Sequence, residues 1–246
     1  MLKIFWLCIA LALQCSAAMA AISLVGTRIV YPSNAKFADI TANNEGAKSA
    51  QMLAWVDDGD INSTPDTATA PFLLAPAVKV IGPGRKQVLR IAYTGGPLPL
   101  DRETVYYLNV MEIPPRSAGS STELTMQFSV RTRIKIFMRP PGLALGPMAA
   151  AKNVSWELDA RPDSAVIRAT NASPYFVSMA SVKLMRGNTV LVDLDRGMVP
   201  PWGTTEFRTE AGTADLSAAT GAITVNYVYV NDYGGPEEFT FPLPAR

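Results

Sequence analysis

Residues 124–138 read LTMQFSVRTRIKIFM, in which apolar and polar side chains alternate from Leu124 to Val130 and then continue into a half rich in cations. Alternation with period two is typical of a β-strand whose two faces meet different surroundings. As one strand the segment would span about 50 Å, whereas an ordinary strand has about five or six residues. One immunoglobulin-sized sandwich does not easily cover so long an apolar stripe. We therefore predict that part of this strand is offered to the sheet of a partner.

The first twenty residues are typical of a secretory signal peptide. Lys3 gives a positive start, an apolar run follows from Ile4 to Leu13, and Ala18-Met19-Ala20 fits a small-x-small cleavage site. The apolar run is too short to span a membrane, and no later stretch is long enough, so we expect no membrane insertion of the mature chain. Both cysteines, Cys8 and Cys15, lie in the predicted signal, so we expect an exported domain pair that folds without disulfides.

Charge and composition exclude one class of partner. The chain of 246 residues has a formal net charge of +1, which falls to zero when the signal takes Lys3 with it. A nucleic-acid-binding domain is normally strongly basic, so we expect no nucleic-acid partner.

Short β-branched and aromatic segments recur along the rest of the chain, separated by Gly, Pro, Asn and Asp. This pattern predicts an all-β protein made of two immunoglobulin-like sandwiches in tandem. The predicted strands are 23–31, 37–42, 51–56, 87–93, 105–113, 125–138, 165–170, 177–185, 205–208, 222–230 and 238–243. Two prolines follow Arg139 and cannot continue a ladder, so we predict a signal peptide over 1–20, a first domain over 21–139 and a second over 140–246.

The chain lacks several residue types that commonly catalyse reactions or bind metals. The chain has no histidine and the mature part has no cysteine, which removes Ser-His-Asp and Cys-His catalysis and zinc sites built on imidazole or thiolate. The acidic stretch at Asp57, Asp58 and Asp60 lacks the glycine and glutamate spacing of a calcium loop, and we interpret it as a solvated turn. We predict no enzyme activity, no metal and no cofactor.

Several segments resemble the periplasmic chaperones of the chaperone–usher pathway, which assemble pili in Gram-negative bacteria. Their order and spacing match across the whole first domain and more thinly in the second. The segments are GTRIVYP at 26–32, QVLRIAYTG at 87–95, LPLDRET at 98–104, YLN at 107–109, EIPPR at 112–116, RIKIFMRP at 133–140, NASPY at 171–175 and NDYGG at 231–235. The resemblance implies two immunoglobulin-like sandwiches set at an angle like a boomerang, with the working cleft between them.

The family implies a donor strand. A pilus subunit is a sandwich that lacks its last strand, and the chaperone inserts alternating apolar residues of its own long strand into the gap. The matching residues are Leu124, Met126, Phe128 and Val130. Alternation alone leaves a second interpretation open, in which these four side chains fill the core of their own domain.

The family also implies two charged sites. The C-terminal carboxylate of the subunit is anchored by an arginine on the first strand and a lysine on the long strand, which match Arg28 and Lys135. Parity places Arg131, Arg133 and Lys135 on one face, and it is the resemblance that selects Lys135. The charged trio that joins the two domains in the family matches Glu103, Arg139 and Asp232.

The expected function is therefore that of a periplasmic chaperone. It would form 1:1 complexes with pilus subunits and deliver them to an outer-membrane usher. The short segment from Arg116 to Leu124 without cysteine resembles the subclass with a short loop before the donor strand. Two alternatives stay open at this point. One is an exported two-domain adhesin or carbohydrate-binding protein with exposed aromatic clusters, and the other is a hydrolase that uses two carboxylates.

Overall fold

The computed structural model describes residues 21–113, 128–161, 164–208 and 222–244. Strands dominate these residues, which confirms the predicted all-β class. The first half contains β1 Ile22–Leu24, β2 Arg28–Pro32, β3 Ala38–Asn44, β4 Ala50–Asp57, β5 Phe72–Ala75, β6 Val78–Ile81, β7 Lys86–Tyr93, β8 Thr104–Ile113 and β9 Arg131–Arg139. The second half contains the short helix α1 Pro147–Lys152 and then β10 Ser155–Arg161, β11 Ser164–Thr170, β12 Val177–Arg186, β13 Thr189–Leu194, β14 Gly197–Val199, β15 Thr204–Arg208, β16 Ile223–Val230 and β17 Pro236–Pro242.

The first domain is a sandwich of two sheets. One has the strand order β1-β3-β7-β5 and the other has the order β2-β9-β8-β4-β6. Its core draws on both sheets, with Leu89 and Ile91 of β7 facing Leu108 of β8 and Ile136 of β9. All four side chains are fully buried, so the two sheets pack face to face around one apolar layer.

The second domain repeats this arrangement with its own core. A sheet of order β10-β11-β15 faces a sheet of order β13-β12-β16-β17, and β14 also pairs with β12. Trp156 and Ile167 from the first sheet pack with Leu184 and Tyr227 from the second. The two apolar clusters share no residue, and each domain therefore has a separate hydrophobic core.

Strand β9 lies inside its sheet, and its sequence explains its orientation. It pairs antiparallel with β8 and parallel with β2. Ile134, Ile136 and Met138 are buried in the first core, so the even-numbered side chains face inward and the odd-numbered cations face outward. Val130 and Phe128 have the same parity in the sequence as these inward side chains and are separated from Ile134 by the polar Thr132.

The structure corrects two of the predicted strands. The predicted strand 125–138 begins only at Arg131, and Phe128 to Val130 are not in a strand. The physical reason is pairing, because Met111 is the last residue of β8 in register with β9, opposite Arg131. The predicted strand 23–31 is two strands that belong to different sheets. The chain crosses between them at Gly26, whose φ of 119° is a conformation that glycine adopts without strain.

Candidate functional site

Of the four predicted donor residues, the structure describes Phe128 and Val130, and both are exposed. The side chain of Phe128 is 67% exposed and that of Val130 is 40% exposed, so neither fills the core of its own domain. The backbone N–H of Glu112 donates a 2.9 Å hydrogen bond to the carbonyl of Val130, which links this segment to β8. Leu124 and Met126 lie outside the described residues.

Next to this segment, β9 has one open edge. Its parallel partner β2 begins with Arg28 opposite Lys135, so within the described residues Arg131–Ile134 have a neighbouring strand only on the β8 side. A groove of about 500 Å³ lies in this area, with Ile22, Leu24 and Ile134 among its lining residues. An open edge beside an apolar groove is a place where another strand can add to the sheet.

The three outward-facing cations of β9 differ in their partners. The guanidinium of Arg133 pairs with the carboxylate of Asp57, and Arg131 donates 2.9 and 2.7 Å hydrogen bonds to Oδ1 of Asn109. Both guanidinium groups also lie over aromatic rings, Arg131 over Trp55 and Arg133 over Tyr107. These two arginines are therefore satisfied within the first domain.

Sequence reasoning missed the role of Asp57, which pairs with Arg133 and has a carboxylate oxygen 3.8 Å from a guanidinium nitrogen of Arg131. This aspartate was interpreted as part of a solvated turn with Asp58 and Asp60, which is right for the other two, since both are exposed, but wrong for Asp57, which is 1% exposed at the end of β4. Burial opposes ionisation, but hydrogen bonds from Arg133 and Asn109 lower the pKa of Asp57 below its usual value. The carboxylate therefore stays charged and holds the outer face of β9.

Lys135 and Arg28 have no such partner. They are register neighbours on β9 and β2, and among the described residues neither forms an ion pair with a carboxylate. The ammonium of Lys135 donates a 3.1 Å hydrogen bond to Oγ of Ser178, and Nη1 of Arg28 donates a 2.5 Å hydrogen bond to the carbonyl of Val230. Ser178 and Val230 belong to the second domain, so both cations lie where the two domains meet.

The electrostatics of this cation pair favour an anionic ligand. Burial, together with the nearby charges of Arg28 and Arg196, lowers the pKa of Lys135 to about 8. Burial also lowers the pKa of Arg28, whose buried Nε has no hydrogen-bond partner among the described residues. A carboxylate placed between these side chains would relieve their mutual repulsion and supply acceptors for their unused N–H groups.

The predicted trio forms a continuous charged contact across the junction. Arg139 donates a 2.6 Å hydrogen bond to Glu103 and two, of 2.6 and 2.9 Å, to Asp232. Burial raises the pKa of Glu103, while Arg139 and the backbone N–H of Phe176 partly offset that rise. For Arg139, burial disfavours the charge, but hydrogen bonds to both carboxylates raise the pKa above its ordinary value. The trio therefore joins β9 to the second domain next to the cation pair.

The second domain contributes residues that sequence reasoning did not identify. These are Ser178, the carbonyl of Val230, and Arg196, which precedes β14 and affects Lys135 electrostatically. Gly234 also has a role, because a Cβ at this position would lie 2.5 Å from Oγ1 of Thr27 in the first domain. The segments at 171–175 and 231–235 were a signal for this region, since they flank Ser178 and Val230.

In the part of the chain that the structure describes, the aromatic side chains do not form the exposed cluster expected of an adhesin or carbohydrate-binding protein. Trp55 and Trp156 are buried and Trp202 is half exposed, so they form no common aromatic surface. No group of three or more potential metal ligands occurs within the described ranges. In the same ranges no helix is long and apolar enough to cross a membrane.

Comparison with known proteins gives the family. Residues 21–144 match the profile described as "Pili and flagellar-assembly chaperone, PapD N-terminal domain", and residues 149–241 match "Pili assembly chaperone PapD, C-terminal domain". Together the two profiles cover most of the chain.

Individual relatives agree with the profiles. The chain is 33% identical to the chaperone protein FimB/FhaD of Bordetella pertussis, over 89% of this chain and 86% of the relative. It is 32% identical to the probable fimbrial chaperone YadV of Escherichia coli, over 91% and 90%. The crystal structure of the CupB2 chaperone of Pseudomonas aeruginosa superimposes with a TM-score of 0.74 at 33% identity, over 90% of this chain and 100% of that one. The chain therefore belongs to the family of two-domain pilus-assembly chaperones of the chaperone–usher pathway.

Proposed function

We propose that this chain binds a pilus subunit by donor-strand complementation, in which residues 124–130 complete the subunit's sandwich. The observation that carries the proposal is that exposed apolar side chains precede β9 at the same parity as its buried ones. The same parity that buries Ile134 and Ile136 in the first domain leads to exposed Val130 and Phe128 outside it. A subunit without its last strand has an open sheet edge and an uncovered core, and this segment would cover both.

Apolar burial supplies the affinity in this proposal. Each large side chain transferred from water into the groove of the subunit contributes about 1.5–3 kcal/mol. The proposed donor residues are Leu124, Met126, Phe128 and Val130. Because side chains on a strand alternate, a shift by one residue would present the polar set to the groove, so the register of the added strand has to be fixed.

The cation pair would fix that register. We assign Arg28 and Lys135 as the anchor for the C-terminal carboxylate of the subunit. The two residues are neighbours at the start of β2, and the open edge of β9 begins directly beside them. A subunit strand whose carboxylate lies there would run along Arg131–Ile134 toward Val130. The terminal carboxylate is ionised at neutral pH and accepts charge-assisted hydrogen bonds from both side chains.

The remaining expectations belong to the same proposal. Residues 1–20 direct the chain to the periplasm of a Gram-negative bacterium, the domain boundary follows Arg139, and the trio of Glu103, Arg139 and Asp232 sets the orientation of the two domains. The complex has a 1:1 stoichiometry, needs no cofactor and passes the subunit to an outer-membrane usher. The supporting observation for the orienting role is that the trio joins residues of both domains by hydrogen bonds.

Co-expression with pilin-like products of neighbouring genes tests the proposal. Size exclusion and intact mass would compare the unmodified chain, Lys135→Ala and the control Lys79→Ala, which alters an exposed lysine on β6 at the far edge of the same sheet. We expect a 1:1 complex for the unmodified chain and the control, and a loss of about 2–5 kcal/mol of binding for Lys135→Ala. A complex that survives Lys135→Ala unchanged would contradict the anchor, and no complex with any such product would contradict the function.

A further inference from the structure

The carboxylate of Glu112 accepts two hydrogen bonds from the region where the mature chain is expected to begin. The backbone nitrogen of Ala21 donates to Oε2 of Glu112 at 2.7 Å, and the backbone nitrogen of Ile22 donates to the same oxygen at 3.1 Å. Glu112 lies near the end of β8, some ninety residues further along the chain. Two consecutive donors on one carboxylate oxygen indicate a specific binding arrangement.

Ala21 is held in a defined place by more than this carboxylate. Its carbonyl accepts a 2.6 Å hydrogen bond from the backbone N–H of Glu45, and its side chain packs on the first core. The neighbouring position has to be glycine for the same reason, because a Cβ on Gly46 would lie 2.7 Å from the Cβ of Ala21. Residue 21 is therefore built into the sandwich.

We propose that Glu112 is the binding site for the α-ammonium group that signal cleavage before Ala21 creates. Hydrolysis of the bond between Ala20 and Ala21 leaves a carboxylate on the signal peptide and an amine on Ala21. At neutral pH this amine carries a proton for most of the time. The amide that donates one hydrogen bond to Glu112 becomes a cation with three donors at the same place, and a neutral hydrogen bond becomes a charge-assisted one.

The site lies at the base of the proposed donor segment. The backbone N–H of Glu112 donates to the carbonyl of Val130, while its side chain holds Ala21 and Ile22. Ile22 also lines the groove beside the open edge of β9. The new N-terminus would therefore stabilise the end of β8, where the proposed donor segment is hydrogen-bonded to that strand. The inference concerns the free protein and does not depend on subunit binding.

The first step of the test is the intact mass of the periplasmic protein, which should correspond to a chain that begins at Ala21. Next, a variant with one glycine inserted between Ala20 and Ala21 moves the ammonium outward by one residue and leaves an amide at Ala21. Glu112→Gln is then made in both chains, and the unfolding equilibrium of all four proteins is measured. We expect Glu112→Gln to lower the equilibrium constant for folding about fivefold to twentyfold in the chain beginning at Ala21, but less than twofold in the extended chain.

A chemical readout covers the case in which Glu112→Gln fails to fold. An amine-reactive reagent at neutral pH should label the α-amine of the chain beginning at Ala21 at least tenfold more slowly than that of the glycine-extended chain. Equal labelling rates would overturn the inference. Equal effects of Glu112→Gln in both chains, or a mature chain that begins at another residue, would overturn it as well.

Discussion

Lys135 is stabilised poorly in the free protein, and this follows from its surroundings. It is partly buried, it faces Arg28 and Arg196, and its one hydrogen bond goes to a hydroxyl group. By contrast, Arg133 has the buried carboxylate of Asp57. A buried cation without a counter-charge lowers the stability of the fold unless a ligand supplies the charge. Under the proposed function, the carboxylate of the subunit would supply that charge.

Replacing this lysine should therefore stabilise the free protein. The pKa of Lys135 is about 8 in the folded state, below its value of 10.5 for an exposed lysine, so the unfolded chain binds the proton more tightly. The cost is complete below about pH 8 and disappears as the pH rises toward 10.5. Because water still reaches the side chain, we expect Lys135→Met to add about 1–3 kcal/mol to the free energy of unfolding at pH 7. Denaturant titrations at pH 7 and pH 10 measure this.

The control for this measurement is Lys79→Met, which alters an exposed lysine in the same sheet. It should change the free energy of unfolding by less than about 0.5 kcal/mol at either pH. A Lys135→Met variant that is less stable than the unmodified chain at pH 7 would contradict the account of this site.

The affinity for a subunit should also depend on the protonation of Lys135. A subunit peptide with a free C-terminal carboxylate should bind more weakly as the pH rises through about 8, because Lys135 loses its charge. The same peptide as a C-terminal amide should bind at least tenfold more weakly at pH 7 and show less dependence on pH. Calorimetric titration with Lys135→Arg, which keeps its charge, is the comparison, and this variant should remove most of the pH dependence. An amide that binds as tightly as the acid would exclude a carboxylate anchor.

The sequence predicted the two anchor positions only through family resemblance. Parity places Arg131, Arg133 and Lys135 on one face, and the structure distinguishes them by contacts with residues distant in sequence. Asp57 and Asn109 lie on β4 and β8, and a local pattern does not reveal that they face β9. For the same reason the buried Asp57 was mistaken for a turn residue.

At the scale of elements, β9 and the residues just before it have different surroundings. Residues from Ile134 to Met138 hold the two sheets of the first domain together, and residues before Arg131 extend past the last partner strand. The arginines between these parts are fixed by Asp57 and Asn109. Under the proposed function, β9 would hold the core together while the exposed residues before it engage a partner.

Substitutions in β9 and in the residues before it should separate effects on folding from effects on subunit binding. Phe128→Ser and Val130→Ser remove exposed apolar groups, so we expect the free energy of unfolding to change by less than about 0.5 kcal/mol while subunit binding falls by about 1.5–3 kcal/mol for each. Ile136→Ala, on the same strand and face but fully buried, should instead cost about 2–5 kcal/mol of stability. Circular dichroism and pull-down with a subunit measure the two effects. Loss of folding in Phe128→Ser would assign that side chain to the core.

Periodicity predicted most of the strands, and two of the missed ones can be explained by their sequence and position. β5, β6, β10, β13 and β14 were not predicted. β14 has only three residues, and β6 is an edge strand in which Val78 and Val80 are exposed and Ile81 alone is buried, so its sequence does not alternate clearly. The long strand predicted over 125–138 was wrong in where it begins, because alternation alone does not show where a strand loses its hydrogen-bonding partner.

At the scale of the whole molecule, the charged trio and the cation pair occupy one junction. Arg139 connects Glu103 of the first domain to Asp232 of the second, and Glu103 also accepts from the backbone of Phe176. Gly234 allows the second domain to approach Thr27, the residue before Arg28. The position of Ser178 and Val230 next to the anchor depends on these contacts, which join residues far apart in sequence and were predictable only from the family.

Breaking the trio should uncouple the two domains. Arg139→Ala leaves Glu103 buried without its counter-charge, and we expect a loss of about 3–5 kcal/mol. Calorimetry should show the unfolding transition split into two, because each domain has its own core. In a protein that already carries Glu103→Gln, Arg139→Ala should lower the free energy of unfolding by clearly less. An equal cost in both backgrounds would show that Arg139 does not act through Glu103.

The most direct test of donor-strand complementation is hydrogen–deuterium exchange of the chain alone and in its complex with a subunit. We expect peptides that cover residues 124–130 to exchange at least tenfold more slowly in the complex, because their amides then pair with the sheet of the subunit. Peptides that cover β6, at the far edge of the same sheet, should not change. A stable complex in which residues 124–130 exchange as fast as in the free chain would contradict the account.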